Sequence, residues 1–285
     1  MWGNCQAEAL RLLLDAVPDR PYRTVRVPPV HEIRSSDLPF VDALLRQTAV
    51  LLSQPVRQHY RDLPIGTADL IRRLPTGAAA YRWPVIRYAG LYPFQAIARH
   101  PADRSITPPG VPYHDLRTVA AACRGAAADD EWDIDVSDDQ IRTAAAASRS
   151  DLARRERDTD VGIADAIATY GADAAHTINH PGDSTLRELA RRVLALCDLP
   201  DTLAPIDGGP LLGSAYAPLE PRVIAALGIT ATPRPQWRLQ GVELDPQDVH
   251  ATQIDWYRRY PEFIDVTVRR HRKTMQTLGL IGAST

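Results

Sequence analysis

The chain opens with the residues MWGNCQAEALRLLLDAV (1–17), in which a small polar turn runs directly into an amphipathic segment. Apolar side chains recur at the three- and four-residue spacing of a helix at Leu10, Leu13, Leu14 and Val17. The pattern predicts a helix over residues 6–17. Gly3, Asn4 and Cys5 lie directly before that helix, so the chain has a thiol at a helix N-terminus.

Strand-like and helix-like segments alternate through the first third of the chain. Runs rich in β-branched and aromatic residues predict strands at 22–30, 48–56 and 82–91. Amphipathic runs predict helices at 37–47 and 65–74. Because strands that alternate with helices pair in parallel, the sequence predicts a layered α/β sandwich around a central, mostly parallel sheet.

The middle of the chain is predicted to be helical. Ser137 and Gln140 form a Ser-x-x-Gln capping box before a helix that continues through residues 141–158. Another helix is expected at 161–171, where Gly171 supplies a C-terminal stop.

The run AHTIN (175–179) predicts a short strand that leads into His180-Pro181-Gly182. Asp183 or Ser184 then caps a strongly amphipathic helix. Active sites of open α/β sheets lie at the ends of strands, so this junction is a candidate site.

The last third of the chain is rich in proline, and a final helix is predicted over about 253–275. We expect an α/β catalytic core at 1–210 and a helical C-terminal extension at 211–285. The extension is expected to pack on the core and not to form an independent domain.

Composition excludes several classes of protein. The 285 residues carry a net charge of −2, which does not favour a nucleic-acid partner. No apolar run reaches the roughly 18 residues of a membrane span, and Glu8 and Arg11 interrupt the first apolar stretch, unlike in a secretory signal. Three cysteines are too few for a disulfide framework, so we expect a reducing, cytoplasmic location.

Cys5 is the first candidate for chemistry. Unpaired backbone N–H groups and the helix dipole at a helix N-terminus favour a thiolate and are expected to lower its pKa. The neighbouring amides of Asn4 and Gln6 are donors that suit a developing oxyanion, and Gly3 permits a tight turn. The alternative is structural, with Asn4 as an N-cap and Cys5 as a small packed residue.

His180 is the second candidate, since an imidazole at the end of a strand can act as a general base and acid. Its alternative is an ordinary hydrogen-bonded histidine. Cys123 and Cys197 lie in apolar, helix-like surroundings and are interpreted as core residues.

Metal binding is not expected. A loop that starts at Asp133 resembles a calcium loop, but its sixth position is Asp138 instead of Gly and its twelfth is Ala144 instead of Glu. His176 and His180 are four residues apart, a spacing that brings ligands together on a helix but not in a strand and turn.

Four stretches occur in the order seen in the WcbI family of bacterial polysaccharide biosynthesis proteins, and the chain resembles that family. They are GNCQAEAL (3–10), LLSQPV (51–56), LARRERDTDV (152–161) and HTINHPGDSTLRELARRVL (176–194). The resemblance implies an α/β protein that binds coenzyme A or acetyl-CoA and O-acetylates a capsular or other surface sugar. The layout is also similar to that of SGNH-type hydrolases and acyltransferases, with cysteine in place of the nucleophilic serine.

Carried onto this chain, the resemblance makes Cys5 the nucleophile and His180 its base. Residues expected to position the substrate or an oxyanion are Asn4, Gln6, Gln54, Gly90, Tyr92 and Asn179. Gln54 and Tyr92 are equally well explained as hydrogen-bonded loop residues. The basic run VRRHRK (268–273) could reach the phosphates of coenzyme A, although a solvated helix face is the simpler interpretation.

Two features depart from the SGNH pattern. Those enzymes carry an Asp three residues before the histidine, where this chain has Thr177; Glu156 and Asp160 are weak substitutes that surface ion pairs would also explain. A nucleophile at such a turn normally follows a central strand, yet only Met1 and Trp2 precede Gly3. We therefore expect the natural protein to begin upstream of Met1, which N-terminal mass analysis would test.

Three functions remain open from the sequence. The first is acyl transfer from coenzyme A to a sugar hydroxyl, and the second is hydrolysis of an ester or thioester by the same Cys–His pair. The third is a non-catalytic component that binds coenzyme A or a glycan. The acceptor sugar and the oligomeric state are not encoded in any motif of the sequence.

Overall fold

The computed structural model describes residues 1–282. In chain order the helices are α1 (Cys5–Asp15), α2 (Leu38–Leu45), α3 (Thr67–Ile71), α4 (Leu116–Cys123), α5 (Asp138–Glu156), α6 (Asp183–Leu196), α7 (Pro221–Leu227), α8 (Pro246–Arg259) and α9 (Glu262–Thr277). The strands are β1 (Val50–Ser53), β2 (Ala79–Arg82), β3 (Gln95–Ala96), β4 (His114–Asp115), β5 (Ala175–Thr177), β6 (His180–Pro181), β7 (Ala215–Tyr216), β8 (Trp237–Leu239) and β9 (Val242–Leu244). None of the helices within 1–282 combines the length and apolarity that crossing a membrane requires.

The chain divides into two compact units, and each unit is built from three segments that are not contiguous in sequence. The first unit contains residues 1–86, 150–174 and 180–212, and the second contains 87–149, 175–179 and the residues from 213 onward. The expected boundary at residue 210 lies close to one of these crossing points. The C-terminal extension at 211–285 is still predicted, and not shown, to be unable to fold as an independent domain.

The sheet of the first unit is short and parallel. β1 pairs with β2 from Val50 opposite Ala79 to Ser53 opposite Arg82. On the other edge of β1, Trp2 forms a parallel bridge with Ser53. The Trp2 N–H donates to the Leu52 carbonyl at 2.8 Å, so the chain enters beside β1 and turns at once into α1.

Two helices flank the candidate site of the first unit. α1 packs against α6, and near their C-terminal ends Leu14 and Val193 line the same cavity. α1 spans 11 residues and α6 spans 14.

The second unit builds its core from helices. Buried apolar residues of α4, α8 and α9, with Phe94 from the preceding loop, form one cluster: Phe94, Leu116, Val119, Trp256, Tyr257, Phe263 and Met275. Its sheets are small and antiparallel, with β3 paired to β4 and the order β7-β8-β9 in the other.

The mixed α/β class is correct, but the predicted sheet is not confirmed, since the strands form four small sheets of two or three strands. Residues 22–30 form no strand, because Pro28 and Pro29 cannot donate to a ladder. Within 82–91 regular pairing ends at Arg82, just before Pro84. Beyond it the Ile86 N–H donates to the Gln6 side chain instead of a neighbouring strand.

Several helix boundaries also differ from the predictions. The helix expected at 161–171 is a 3-10 segment, Ile167–Ala174, interrupted at Gly171 with φ of 52°. The final helix is two helices, α8 and α9, since Pro261 lies between them. Extended Gly182 is the N-cap of α6, in place of Asp183 or Ser184. The Ser137 capping box is confirmed, with Gln140 N–H 3.3 Å from the Ser137 hydroxyl.

Candidate functional site

The turn at residues 3–5 places a thiol in the first turn of α1. Asn4 is the N-cap, and its Oδ1 accepts a hydrogen bond from the Gln6 N–H at 2.9 Å. Cys5 is therefore the first helical residue, and its side chain is half-buried. The local prediction of a cysteine at a helix N-terminus is confirmed.

Two buried glutamines hold this turn. Gln54, directly after β1, accepts from the Asn4 N–H at 2.8 Å and donates to Gln6 Oε1 at 3.0 Å. Gln6 in turn donates to the Ile86 carbonyl at 2.8 Å. These amides are committed to protein partners, so their geometry supports positioning of the turn more than direct donation to an oxyanion.

Gly3 leaves no room for a side chain. A Cβ at this position would lie 2.4 Å from Gln54 Oε1. Because Gln54 is 1% exposed and already hydrogen-bonded, it cannot move aside without losing those bonds.

We therefore expect Gly3→Ala to lower the free energy of unfolding by about 2 kcal/mol, the usual scale of overpacking. Urea denaturation followed by circular dichroism measures the change. Gly282→Ala is the matched control, since a Cβ there meets no atom within 4 Å. Equal midpoints for the two variants would contradict the close packing of Gly3 on Gln54.

The pKa of the Cys5 thiol is raised above its ordinary value of 9.0. Burial is the largest cause, and the backbone N–H groups of Gln6 and Cys5 oppose it without cancelling it. The expectation of a lowered pKa is thus wrong in direction, because desolvation outweighs the helix terminus. The thiol needs a base to ionise near neutral pH.

The other two cysteines lie at the opposite ends of helices. Cys123, the last residue of α4, is exposed, and Cys197, the C-cap of α6, is half-buried, so the interpretation of both as core residues is wrong. Carbonyl groups and the negative end of the dipole disfavour a thiolate there. Burial raises the pKa of both, with Asp265 adding to the effect at Cys123 and Asp198 at Cys197.

His180 is half-buried in β6, two residues before the N-cap of α6. The following turn packs closely on Asp173, since a Cβ on Gly182 would lie 2.0 Å from the Asp173 carbonyl oxygen. The Asp173 side chain also accepts from the Ser184 N–H at 2.9 Å, so Asp173 fixes the start of α6. That His180 lies beside Cys5 stays a prediction.

The two weak candidates for an orienting carboxylate serve other backbone groups. Glu156 accepts from the Ile163 N–H at 2.8 Å and from the Ala164 N–H at 3.1 Å. Burial raises the pKa of Glu156 against those two hydrogen bonds. Asp160 accepts from the Arg82 N–H at 2.6 Å. Both carboxylates hold loops of the first unit, and a third member of a triad is not identified.

Three of the predicted positioning residues belong to the second unit. Tyr92 is 2% exposed, donates to the Ala175 carbonyl at 2.7 Å, and has a pKa that burial raises to about 12. The Tyr88 hydroxyl covers Gly90 so closely that a Cβ would lie 2.2 Å from it. Roles of Tyr92, Gly90 and Asn179 toward a substrate stay predictions.

Sequence reasoning missed Tyr113, which fixes Asn179. The Tyr113 hydroxyl donates to Asn179 Oδ1 at 2.9 Å and lies 3.0 Å from Thr177 Oγ1. No local pattern marks a tyrosine 66 residues earlier as this partner.

A cavity of about 660 Å³ in the first unit is an apolar groove beside Trp2 and β1. Its lining includes Cys197 and does not include Cys5 or His180. Size alone therefore does not locate the chemistry of this unit. Among residues 1–282, no three His, Cys, Asp or Glu side chains converge as metal ligands.

Known proteins were compared with this sequence and fold. The family described as polysaccharide biosynthesis enzyme WcbI matches residues 1–202. No curated protein matches. A solved WcbI structure, described as the native protein without a disulfide bond between coenzyme A and one of its cysteines, has a TM-score of 0.77. It is 17% identical, and the match covers 98% of this chain and 97% of that one, which shows a shared fold. The chain belongs to the family of the polysaccharide biosynthesis enzyme WcbI.

Proposed function

We propose that the protein is a coenzyme A-dependent acyltransferase that acetylates a hydroxyl of a sugar or polysaccharide precursor. Cys5 is the nucleophile and His180 the general base. The observation that carries the proposal is the position of Cys5 at the N-terminus of α1, whereas Cys123 and Cys197 lie at helix C-termini. The solved WcbI structure is described as lacking a disulfide bond between coenzyme A and a cysteine, and the mention of coenzyme A for that protein supports coenzyme A as the donor here.

The electrostatics of Cys5 define what its base must do. Because burial raises the pKa of Cys5 above its ordinary value, the thiol is protonated near neutral pH. The His180 imidazole can take the proton as the sulfur attacks and return it later. The N–H groups of Cys5 and Gln6 then stabilise the thiolate.

The reaction balances in two transfers. His180 takes the Cys5 proton, the sulfur attacks the thioester carbonyl, and the departing coenzyme A thiolate receives that proton. His180 next takes the proton of a sugar hydroxyl, whose oxygen attacks the acetyl-cysteine. The Cys5 thiolate leaves and is reprotonated, so acetyl has moved from sulfur to oxygen.

The test is incubation of the purified protein with acetyl-CoA, with and without methyl glycosides as acceptors. Intact mass and peptide mapping detect acetyl on Cys5, and chromatography detects acetylated glycoside and free acetate. We expect acetyl-Cys5 without acceptor and acetylated glycoside with it. Cys197→Ala is the matched control and should acetylate normally.

The other candidate functions give different products. Rapid release of free acetate without an acceptor would identify a hydrolase that uses the same pair. Saturable binding of coenzyme A by calorimetry, with no acetyl on any cysteine, would identify a non-catalytic binding component. Either result would overturn the transferase proposal.

The three unpaired cysteines support placing the reaction in the cytoplasm.

A further inference from the structure

The apolar groove beside β1, in the first unit, lies between two extended segments of the chain. One wall is formed by residues 50–52 of β1, and the other by residues 22–25 and Val27. Val25 and Val50, one on each wall, are each 44% exposed, although valine is among the side chains most often buried. Apolar surface on both walls favours an apolar occupant over water.

The groove reaches both faces of β1 and is lined by helices. Leu51 packs in one cluster with Val41 and Leu45 of α2, and all three line the groove. Leu52 points to the opposite face, since side chains of a strand alternate, and it lines the groove together with Leu194 of α6. A space between two extended segments that helices cover is the place of a strand in a layered α/β sheet.

Trp2 and Gly3 show how a strand lies in this space. The Trp2 N–H donates to the Leu52 carbonyl, and the Trp2 carbonyl accepts from the Gln54 N–H, both at 2.8 Å. On the other side, the Gly3 carbonyl accepts from the Val30 N–H at 2.9 Å. This pair is thus hydrogen-bonded to a neighbour on each side, as a central strand is, and Trp2 lies at one end of the groove.

The edge of β1 that faces the groove is paired only at that end. Within residues 1–282, the Trp2–Ser53 bridge is the one strand-like pairing on this edge, and β2 occupies the other edge. Because alternate residues of a strand present their backbone groups to opposite edges, Val50 faces the groove as Leu52 does. An acyl chain or another ligand without a peptide backbone would leave the Val50 carbonyl and the Leu52 N–H without a strand partner.

We propose that this groove is the site of a central strand, parallel to β1 and formed by residues that precede Met1 in the full-length protein. Continuing the register of Trp2 opposite Ser53, roughly four residues before Met1 lie opposite Leu51 back to Thr48. Since helices line the groove and both faces of β1 border it, these residues are apolar and β-branched.

A strand continuous with Met1 fits better than a strand from another molecule. Trp2 already holds the register at one end of the groove, so the preceding residues enter it without a loop. They also avoid the loss of translational and rotational freedom that a second molecule incurs on binding. The strand gives the extended residues before Pro28, which were predicted to pair, a neighbouring backbone.

N-terminal extensions of the whole chain test the proposal. The protein is expressed with Met-Lys-Val-Ile-Val-Val before Met1 and, as the matched control, with Met-Lys-Gly-Ser-Gly-Ser. The apolar extension should raise the melting temperature by about 5 °C or more over the control, because several side chains leave water. Hydrogen exchange followed by mass spectrometry should show the amides of Leu52 and of residues 23–27 protected at least about tenfold better.

A third extension, Met-Lys-Val-Ile-Val-Pro, distinguishes strand pairing from apolar contact. Its proline replaces the N–H that would donate to the Val50 carbonyl, so most of the gain should disappear. The proposal is overturned if the apolar and the Gly-Ser extensions melt and exchange alike, or if the proline extension performs like the apolar one. A natural product whose first residue is Met1 would also overturn it, whatever the designed extensions do. None of these measurements involves coenzyme A, so this inference and the proposed function can fail separately.

Discussion

Cys5→Ala and His180→Ala are each expected to lower acetyl transfer by about 10³-fold, the scale of losing a nucleophile or its general base. The thiol of Cys5 is neutral near pH 7 because burial raises its pKa. Without an imidazole to take its proton it is a weak nucleophile, and without the thiol the imidazole has nothing to activate.

The double variant distinguishes a working pair from two separate contributions. Residues that act as a unit are strongly non-additive, so Cys5→Ala with His180→Ala should be no slower than either single variant. Multiplied losses of about 10⁶-fold would show that the two groups act independently, and unchanged turnover in either single variant would remove that residue from the chemistry. Cys123→Ala and Cys197→Ala, at helix C-termini, should retain full rate.

The pH profile of His180→Ala adds a readout that a structural role would not move. Its residual activity should increase at alkaline pH, because the Cys5 thiol, whose pKa is raised by burial, ionises only there without help from a base. His180→Gln keeps a polar group in the same turn and should behave like His180→Ala. A profile parallel to that of the wild type would contradict proton transfer by His180.

The position of Cys5 could be predicted because its causes are local. Helical spacing after residue 6, a capping Asn4 and a small Gly3 lie within a few residues of the thiol. Gln54, which was expected to position a substrate or an oxyanion, bonds this turn, since its Oε1 accepts from the Asn4 N–H at 2.8 Å. Parallel strands bring their ends to one edge, which a sequence can anticipate.

The ionisation of Cys5 could not be predicted in the same way. Its pKa depends on how much protein covers the sulfur, which residues distant in sequence determine. The predictions of strands at 22–30 and 82–91 were wrong for a related reason. A run of β-branched residues indicates that a segment suits a buried strand, but a strand forms only where a neighbouring backbone pairs with it. At 82–91 that neighbour is replaced by a glutamine side chain, Gln6, which donates to and accepts from Ile86.

The burial and the ion pairs of Arg117, in the second unit, could not be predicted from the sequence. It lies in a segment that is otherwise an ordinary start of a helix, α4, yet it is 6% exposed. Its guanidinium pairs with Asp115 at 2.6 Å, with Asp133 at 2.8 Å and with Glu220 at 2.9 Å. It also lies 4.1 Å from the centre of the Phe94 ring. Burial alone would lower the pKa of Arg117, and the three carboxylates raise it instead.

Arg117→Met is therefore expected to lower the free energy of unfolding by about 3 kcal/mol at pH 7, as removal of one partner from a buried pair does. Methionine keeps most of the packing on Phe94, so the loss reports mainly the uncompensated carboxylates. Urea denaturation measures it. Arg154→Met is the control, because its pair with Asp151 is exposed on both sides and is worth under about 1 kcal/mol.

The pH dependence of the Arg117→Met penalty identifies its cause. In the wild type, partial burial would raise the pKa of Asp133, but Arg222 and Arg117 outweigh it and the pKa is lowered. The lowered pKa of Asp133 stabilises the folded protein at a pH above the unfolded-state pKa of about 3.9. This stabilisation is lost as the pH falls through the lower pKa of the folded state. Without Arg117 the folded carboxylates hold protons more readily, so the variant's deficit should be fully present at pH 7 and should shrink as the pH falls below about 4. A deficit that stays constant from pH 7 down to about pH 3 would mean that packing on Phe94, and not charge, makes Arg117 necessary.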